Sequence, residues 1–208
     1  DDVTSLVEII QILKDVASNH FFNTAKRKQR FQEFAVAFTD FFRMVSLSEA
    51  RSPLVQPVTE NVAILPITSE GGFMAEMTAK VAMASFNESE KYHAHEYIVI
   101  GSKGAEKIAT ITDGAAKMKV FTDIEEKGLF KVTLEVKDYI ISQVNEKKIG
   151  RVFAVYPRAV TINFIKPAVV QLLPSEELVA KQLQIKDTIE KVIVESGMDD
   201  IIHYLADI

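Results

Sequence analysis

The chain contains no cysteine. That removes disulfide staples, thiol nucleophiles and thiolate-bound metals from the chemistry open to it. It also lacks any apolar run approaching the roughly 18 residues that a membrane-spanning helix requires, so any association with a bilayer is expected to be indirect. Neither sign of charge dominates: 24 Lys and Arg stand against 29 Asp and Glu, a formal net charge of −5. A general nucleic-acid footprint calls for a basic excess, which leaves proteins as the partner class to consider. Glycine and proline are missing from Thr4 to about Ser46, so nothing there interrupts a helix. What is present, 208 residues of which 48% are apolar, suffices for one substantial core with an excursion outside it.

The excursion is written in the spacing of that first segment. Leu6, Ile10, Leu13, Ala17, Phe31, Phe34, Phe38, Phe41 and Val45 alternate at three and four residues, which puts them on one stripe of a helix. At 1.5 Å per residue such a helix is about 60 Å long, beyond the span of a small domain. His20, Thr24 and Arg27 make the middle of the stripe polar, and Lys26-Arg27-Lys28-Gln29-Arg30 is a basic run. Apolar ends with a polar waist predict two environments along one helix. A helix pair broken near Asn19 to Asn23 is the competing reading, and His20 reads as packed or half-exposed rather than as a ligand.

Pro53 and Pro57 end this region, dividing the chain into a stalk-like helix at 1–50, a linker at 51–60, an α/β domain at 61–174 and a C-terminal region at 175–208 leading to a helix. Val62 to Ile67 reads as a strand with Pro66 near its end, where a missing donor costs least. Met74 to Phe86 reads as a helix with Met74, Met77, Val81 and Ala84 on one face. Tyr97 to Ile100 and Lys117 to Phe121 are strands flanking a short helix at Lys103 to Thr110. Leu129 to Asn145 is an amphipathic helix through Leu129, Val132, Val136, Ile140 and Val144. Arg151 to Tyr156 is a further strand, and Thr161 to Val170 returns as an antiparallel edge. Strands alternating with helices predict a mostly parallel, Rossmann-like sheet covered on its faces.

Two glycine turns follow strands, where α/β sheets place ligand loops: Ser69-Glu70-Gly71-Gly72 and Gly101-Ser102-Lys103-Gly104. Neither has the spacing of a phosphate loop or a dinucleotide fingerprint, so tight turns are the expected role. An anion at Lys103 near a helix N-terminus is the sharper alternative. His93 and His95, beside Glu90 and Glu96, read as a solvated connection rather than metal ligands. Asp199, Asp200 and His203 read as capping residues. The neighbouring pairs Glu125-Glu126 and Glu176-Glu177 point in different directions on any regular element and make no acid/base pair. No Gly-x-Ser-x-Gly elbow or His-Glu-x-x-His helix occurs.

In order and spacing the motifs of residues 61–205 resemble those of the gamma subunit of F-type ATP synthases, the central rotor shaft. Ile67-Thr68-Ser69-Glu70 with Gly72-Phe73 resembles its strand ending in T-S-D. Ile98-Val99-Ile100-Gly101-Ser102-Lys103-Gly104 resembles its strand and G-x-K-G turn. Lys166-Pro167-Ala168-Val169-Val170-Gln171-Leu172-Leu173-Pro174 resembles its K-P-x-V-x-Q-x-L-P segment, preceded by Val152-Phe153-Ala154-Val155-Tyr156. Ile193-Val194-Glu195-Ser196 with Asp200-Ile201-Ile202 and Leu205 resembles the approach to its second long helix. The chain departs from the family at Ala75-Glu76-Met77-Thr78, where Gly-Gly-Phe-Asn is common. The basic start of the family helix has no counterpart before Asp1, and the returning helix would begin near Ile208, so a truncated or divergent member is expected.

The resemblance implies a non-catalytic subunit that couples rotor rotation to ATP synthesis or hydrolysis in catalytic alpha and beta subunits. It further implies an α/β domain that engages a second small central-stalk subunit and the membrane rotor ring, with no cofactor or metal of its own. Such a subunit sits peripherally on the ATP-synthesising face of an energy-transducing membrane. Leu6, Ile10, Leu13 and Ala17 become candidate contacts near the catalytic head or its bearing. Phe31, Phe34, Phe38 and Phe41 become contacts to the returning helix or the domain, and Lys26, Arg27, Lys28 and Arg30 either meet acidic partner surfaces or form a solvated face. Two other readings compete: a small α/β enzyme binding a nucleotide or anion at Gly71, Gly72, Gly101 and Lys103, and a homodimer paired through its long helices.

Overall fold

The computed structural model describes residues 11–12, 14–15, 26, 53–54, 56–124, 128–161 and 164–174. Most of the long helix expected over residues 4–46, and the region after 174, lie outside these residues. Gln11, Ile12, Lys14, Asp15 and Lys26 are described; each is helical and exposed. Gln11 Nε2 donates to Asp15 Oδ1 at 3.0 Å, one helical turn further on. These residues belong to a different compact unit from the α/β unit.

The α/β unit runs β1 (Val62–Pro66), α1 (Ala75–Tyr92), β2 (Glu96–Ile100), α2 (Ser102–Ile111), β3 (Met118–Phe121), α3 (Leu129–Asn145), β4 (Arg151–Thr161) and β5 (Phe164–Leu173). A 3-10 turn at Gly72–Met74 leads into α1. The five strands form one sheet in the order β3-β2-β1-β4-β5. β1 is parallel to both β2 and β4, β2 is parallel to β3, and β5 runs antiparallel to β4. This is the mostly parallel sheet with an antiparallel edge that the alternation of elements predicts. All five residues of β1 are buried, as a central strand with both faces covered requires. Pro66 closes that strand opposite Val155, and the next residue resumes donation, Ile67 N–H to Val155 O at 2.8 Å.

Side chains alternate across the sheet, so each strand feeds two layers. On one side Val62, Ile64, Tyr97, Val99, Phe153 and Val155 pack with Val81 and Ala82 of α1 and Ile108 of α2. The Tyr92 ring at the end of α1 stacks on Phe153, centroids 4.5 Å apart. The buried face of α1 is Thr78, Val81, Ala82, Ser85 and Ser89. It is therefore rotated from the expected Met74, Met77, Val81 and Ala84 stripe. Met74 belongs to the preceding turn and is 40% exposed, while Met77 and Ala84 only flank the core. Small side chains let the helix approach the sheet closely, and Ser85 satisfies its hydroxyl on Val81 O at 2.8 Å. α1 also continues to Tyr92, six residues past the expected end, because His93 supplies a left-handed C-cap at φ 50°.

On the opposite side α3 buries Val132, Val136, Ile140 and Val144, the stripe expected from its periodicity. Leu129, the first member of that stripe, is 50% exposed. Full burial of aliphatic side chains of this size is worth about 1.5–3 kcal/mol each before ordering entropy is charged against it. β4 outruns its parallel neighbour. It pairs with β1 only through Val155, and from Tyr156 to Thr161 it pairs with β5 alone. The result is a two-stranded ribbon extending past the carboxyl end of the sheet.

Candidate functional site

The two glycine turns lie side by side at the carboxyl ends of the adjacent parallel strands β1 and β2. Thr68 joins them: its N–H donates to Ile100 O at 2.9 Å and its hydroxyl donates to the same oxygen at 2.7 Å. Gly101, at φ 98°, holds a conformation that suits glycine, and its N–H reaches Phe121 O at 2.9 Å on β3. A Cβ on Gly104 would collide with Thr68 Oγ1 and lie 2.6 Å from its Cγ2. Glycine is required there because helix α2 presses against the Thr68 side chain.

Glu70 then occupies the amide end of α2. Its Oε2 accepts from Ser102 N–H at 3.2 Å and from Ser102 Oγ at 2.5 Å, while its buried Oε1 meets no donor among the described residues. A carboxylate at a helix N-terminus is favoured by the unpaired amides and the helix dipole. The position where an external anion would bind is thus filled by the chain's own carboxylate. Lys103, the anion contact of the alternative reading, turns away and pairs with Glu106 at 2.8 and 2.9 Å. Ser69 Oγ lies 2.9 Å from Thr78 Oγ1, tying the same turn to α1. Chemically the arrangement is a lock between two turns, with no base set against a nucleophile.

A second polar cluster sits at the amino ends of β2 and β3. Glu96 is 2% exposed and pairs with Lys117 Nζ at 3.0 Å. Tyr139 O–H of α3 donates to the same carboxylate at 3.3 Å. Burial first, and then the Glu96 charge, raise the Tyr139 phenol above its ordinary pKa. Lys117 Nζ also lies 3.3 Å from His95 Nε2, so His95 faces a cation while His93 caps α1. The two histidines serve separate structural ends, and among the described residues no group of three His, Asp or Glu is placed to hold a metal. The pairing of Glu96 with Lys117 and Tyr139 is not predicted by the periodicity of any one segment. The signal it leaves in the sequence is a lone acidic residue opening an otherwise apolar strand.

Between α3 and the sheet lies a cavity of about 520 Å³, bounded by Leu65, Ile67 and Ile100 of the strand ends, Val136 of α3 and Leu173 of β5. Its walls are almost wholly apolar. Of the partner-contact candidates, Lys26 is described and is exposed on a helix. Leu6, Ile10, Leu13, Ala17, Arg27, Lys28, Arg30, Phe31, Phe34, Phe38 and Phe41 lie outside the described residues, as do Glu125, Glu126, Glu176, Glu177, Asp199, Asp200 and His203.

Among solved structures the chain is similar to a chain of the Tetrahymena thermophila mitochondrial ATP synthase central stalk and c-ring structure. Identity is 13%, over 84% of this chain and 80% of that one, with a TM-score of 0.53; this likeness is one of fold. A Euglena gracilis mitochondrial ATP synthase rotor chain is also similar, at 12% identity over 86% of this chain and 69% of that one, with a TM-score of 0.42. Among curated proteins none matches the sequence. The model of one family, described as ATP synthase, matches residues 1–207. A match along that whole length takes in residues 4–46, where the helical stripe is expected, as well as the α/β unit, and the chain belongs to the ATP synthase family, as the resemblance of its motifs to the gamma subunit implied.

Proposed function

We propose that the protein is a non-catalytic central-stalk subunit of a rotary ATPase, coupling rotation to ATP synthesis or hydrolysis carried out by partner subunits. The observation that carries this reading is the extent of the family match, residues 1–207. It spans the proposed stalk helix at 1–50, the linker at 51–60, the α/β domain at 61–174 and the region from 175 onward. The partners are catalytic alpha and beta subunits, a second small stalk subunit and the membrane rotor ring. Leu6, Ile10, Leu13 and Ala17 are the proposed contacts to the catalytic head. Phe31, Phe34, Phe38 and Phe41 are proposed to face a returning helix or the domain, and the basic group Lys26, Arg27, Lys28 and Arg30 is proposed to meet acidic partner surfaces.

The strand-end geometry supports a binding rather than a chemical role, since Glu70 closes the turn pair at which the competing reading set a nucleotide or anion. Among the described residues no helix is long and apolar enough to cross a membrane. Attachment to an energy-transducing membrane, on its ATP-synthesising face, is therefore proposed to run through the complex. The test is affinity purification of the tagged chain from native membranes. Recovery of alpha and beta subunits with the wild-type chain, and their loss when Ile10→Asp and Leu13→Asp are combined, is the expected result. A wild-type chain that recovers neither subunit overturns the proposal.

A further inference from the structure

Residues 56–61, read from the sequence as the end of a linker, lie against the corner between α3 and β4. Exposure alternates from Gln56 to Glu60, and Pro57 and Thr59 form the half-buried side. Asn61 O accepts the N–H groups of Gly150 at 2.9 Å and of Arg151 at 3.1 Å, and Asn61 Nδ2 donates to Lys148 O at 2.9 Å. Asn61 N–H reaches back to Thr59 Oγ1 at 3.4 Å, a local turn of the Ser/Thr kind. A Cβ on Gly150 would collide with Thr59 O and lie 2.8 Å from Thr59 C and 3.2 Å from Pro57 Cβ. That close approach, and not a positive φ, requires glycine at 150. Leu54, further back, is 8% exposed on the wall of the apolar cavity beside α3.

The corner is itself fixed. At the end of α3, Lys147 takes φ 60° and donates its N–H to Val144 O at 3.0 Å, while Lys148 N–H reaches Gln143 O at 2.9 Å. This is a Schellman end, which sets the direction of the chain after the helix. Ile149 follows and is fully buried, and Arg151 opens the parallel register with Val62. Pro57 restricts the other side by its fixed φ. Flexible linkers leave their two ends free to turn independently. Here three hydrogen bonds and one close backbone approach remove that freedom just before the chain enters β1.

We propose that residues 54–61 form a torsionally stiff coupling, clamped by Asn61 and by the fit of Thr59 against Gly150. The clamp holds the chain that leads into the α/β unit in one orientation, so that rotation of that unit passes to the residues before Pro53 without slack. Gly150 and Asn61 are positioning residues of the coupling, and Leu54 is its apolar anchor. This inference rests on the stalk-subunit reading and assigns one mechanical element within it.

The experiment uses the complex purified from native membranes through the tagged chain. Its catalytic head is fixed to a surface, and a biotinylated rod is attached at Lys107→Cys, an exposed position on α2. Without nucleotide, the thermal spread of the rod angle reads the torsional compliance between head and rod. Gly150→Ala and Asn61→Ala are each expected to widen the angular variance about twofold by returning residues 54–61 to the flexible regime. Glu60→Ala removes only an ion pair to Arg151 whose acid is 82% exposed, and should leave the variance unchanged. Bridging Glu60→Cys to Arg151→Cys with a bismaleimide in the Asn61→Ala chain should return the wild-type width, which a general loss of stability would not allow. Should Gly150→Ala fail to assemble, Asn61→Ala and its bridged form carry the test. An unchanged variance in Asn61→Ala, a bridge that leaves it wide, or equal widening by Glu60→Ala overturns the coupling, while recovered alpha and beta subunits keep the stalk-subunit reading. A wild-type chain that recovers neither subunit removes that reading beneath it.

Discussion

Glu70 accepts hydrogen bonds from both the backbone N–H and the hydroxyl of Ser102, fastening the turn after β1 to the first residue of α2. The two residues stand at the carboxyl ends of the neighbouring parallel strands β1 and β2, the end of an α/β sheet at which ligand loops lie. Here the chain fills that position itself.

Removing that cap should loosen α2. Glu70→Ala is expected to lower stability by about 1 kcal/mol, the usual worth of an N-terminal cap with a favourable charge. Glu70→Gln should lose less, because an amide oxygen can still accept from Ser102. Urea unfolding of the two variants checks the order; equal stability of Glu70→Ala and wild type would remove the capping role.

Gly104 and Thr68 should be coupled. Gly104→Ala sets a methyl group against the Thr68 side chain and is expected to cost about 2 kcal/mol through overpacking. Thr68→Ala opens the space, so the double variant should recover about 1 kcal/mol of coupling. A double-mutant cycle by thermal unfolding measures it, and strict additivity would contradict the contact.

Lys117→Met leaves the Glu96 carboxylate buried without its cation. Lys117 itself is 57% exposed, so the loss is discounted for solvent screening and expected at about 2 kcal/mol. Glu96→Gln in the Lys117→Met background should return part of that loss by removing the charge. Both are read from denaturant midpoints.

Alkaline pH should destabilise the fold through Tyr139 and Tyr97. Burial is the largest cause raising each phenol above its ordinary pKa, with the Glu96 charge adding to it for Tyr139. A raised folded-state value means that the native chain keeps a proton that the unfolded chain gives up. The stabilisation is therefore complete below about pH 10 and declines as pH rises through the folded-state values. Tyr139→Phe should flatten the fall of melting temperature above that pH, and an unchanged slope would refute the assignment.

Much of the framework was legible in the chain. Val62 to Ile67, Tyr97 to Ile100 and Val152 to Val155 are continuous apolar runs because each strand is buried on both faces, and α3 announces itself by Val132, Val136, Ile140 and Val144. The face of α1 was not legible from apolar residues, since closeness to the sheet selects Thr78, Ser85 and Ser89 over Met74. Neither were the full lengths of β4 and β5, whose ribbon residues are exposed and so carry no burial pattern.

The amino-acid sequence by itself determined the absence of thiol chemistry, the kinds of element and their order, and the motifs that place the chain in its family. These are properties of composition and local periodicity, which each segment carries alone. Only the tertiary structure decided that Glu70 closes on Ser102, that Glu96 meets Lys117 and Tyr139, and that Arg158 stands opposite Lys166 on the β4–β5 ribbon. Each of these is a relation between two groups, and which groups meet is set by strand order and register, which the periodicity of a single segment does not encode.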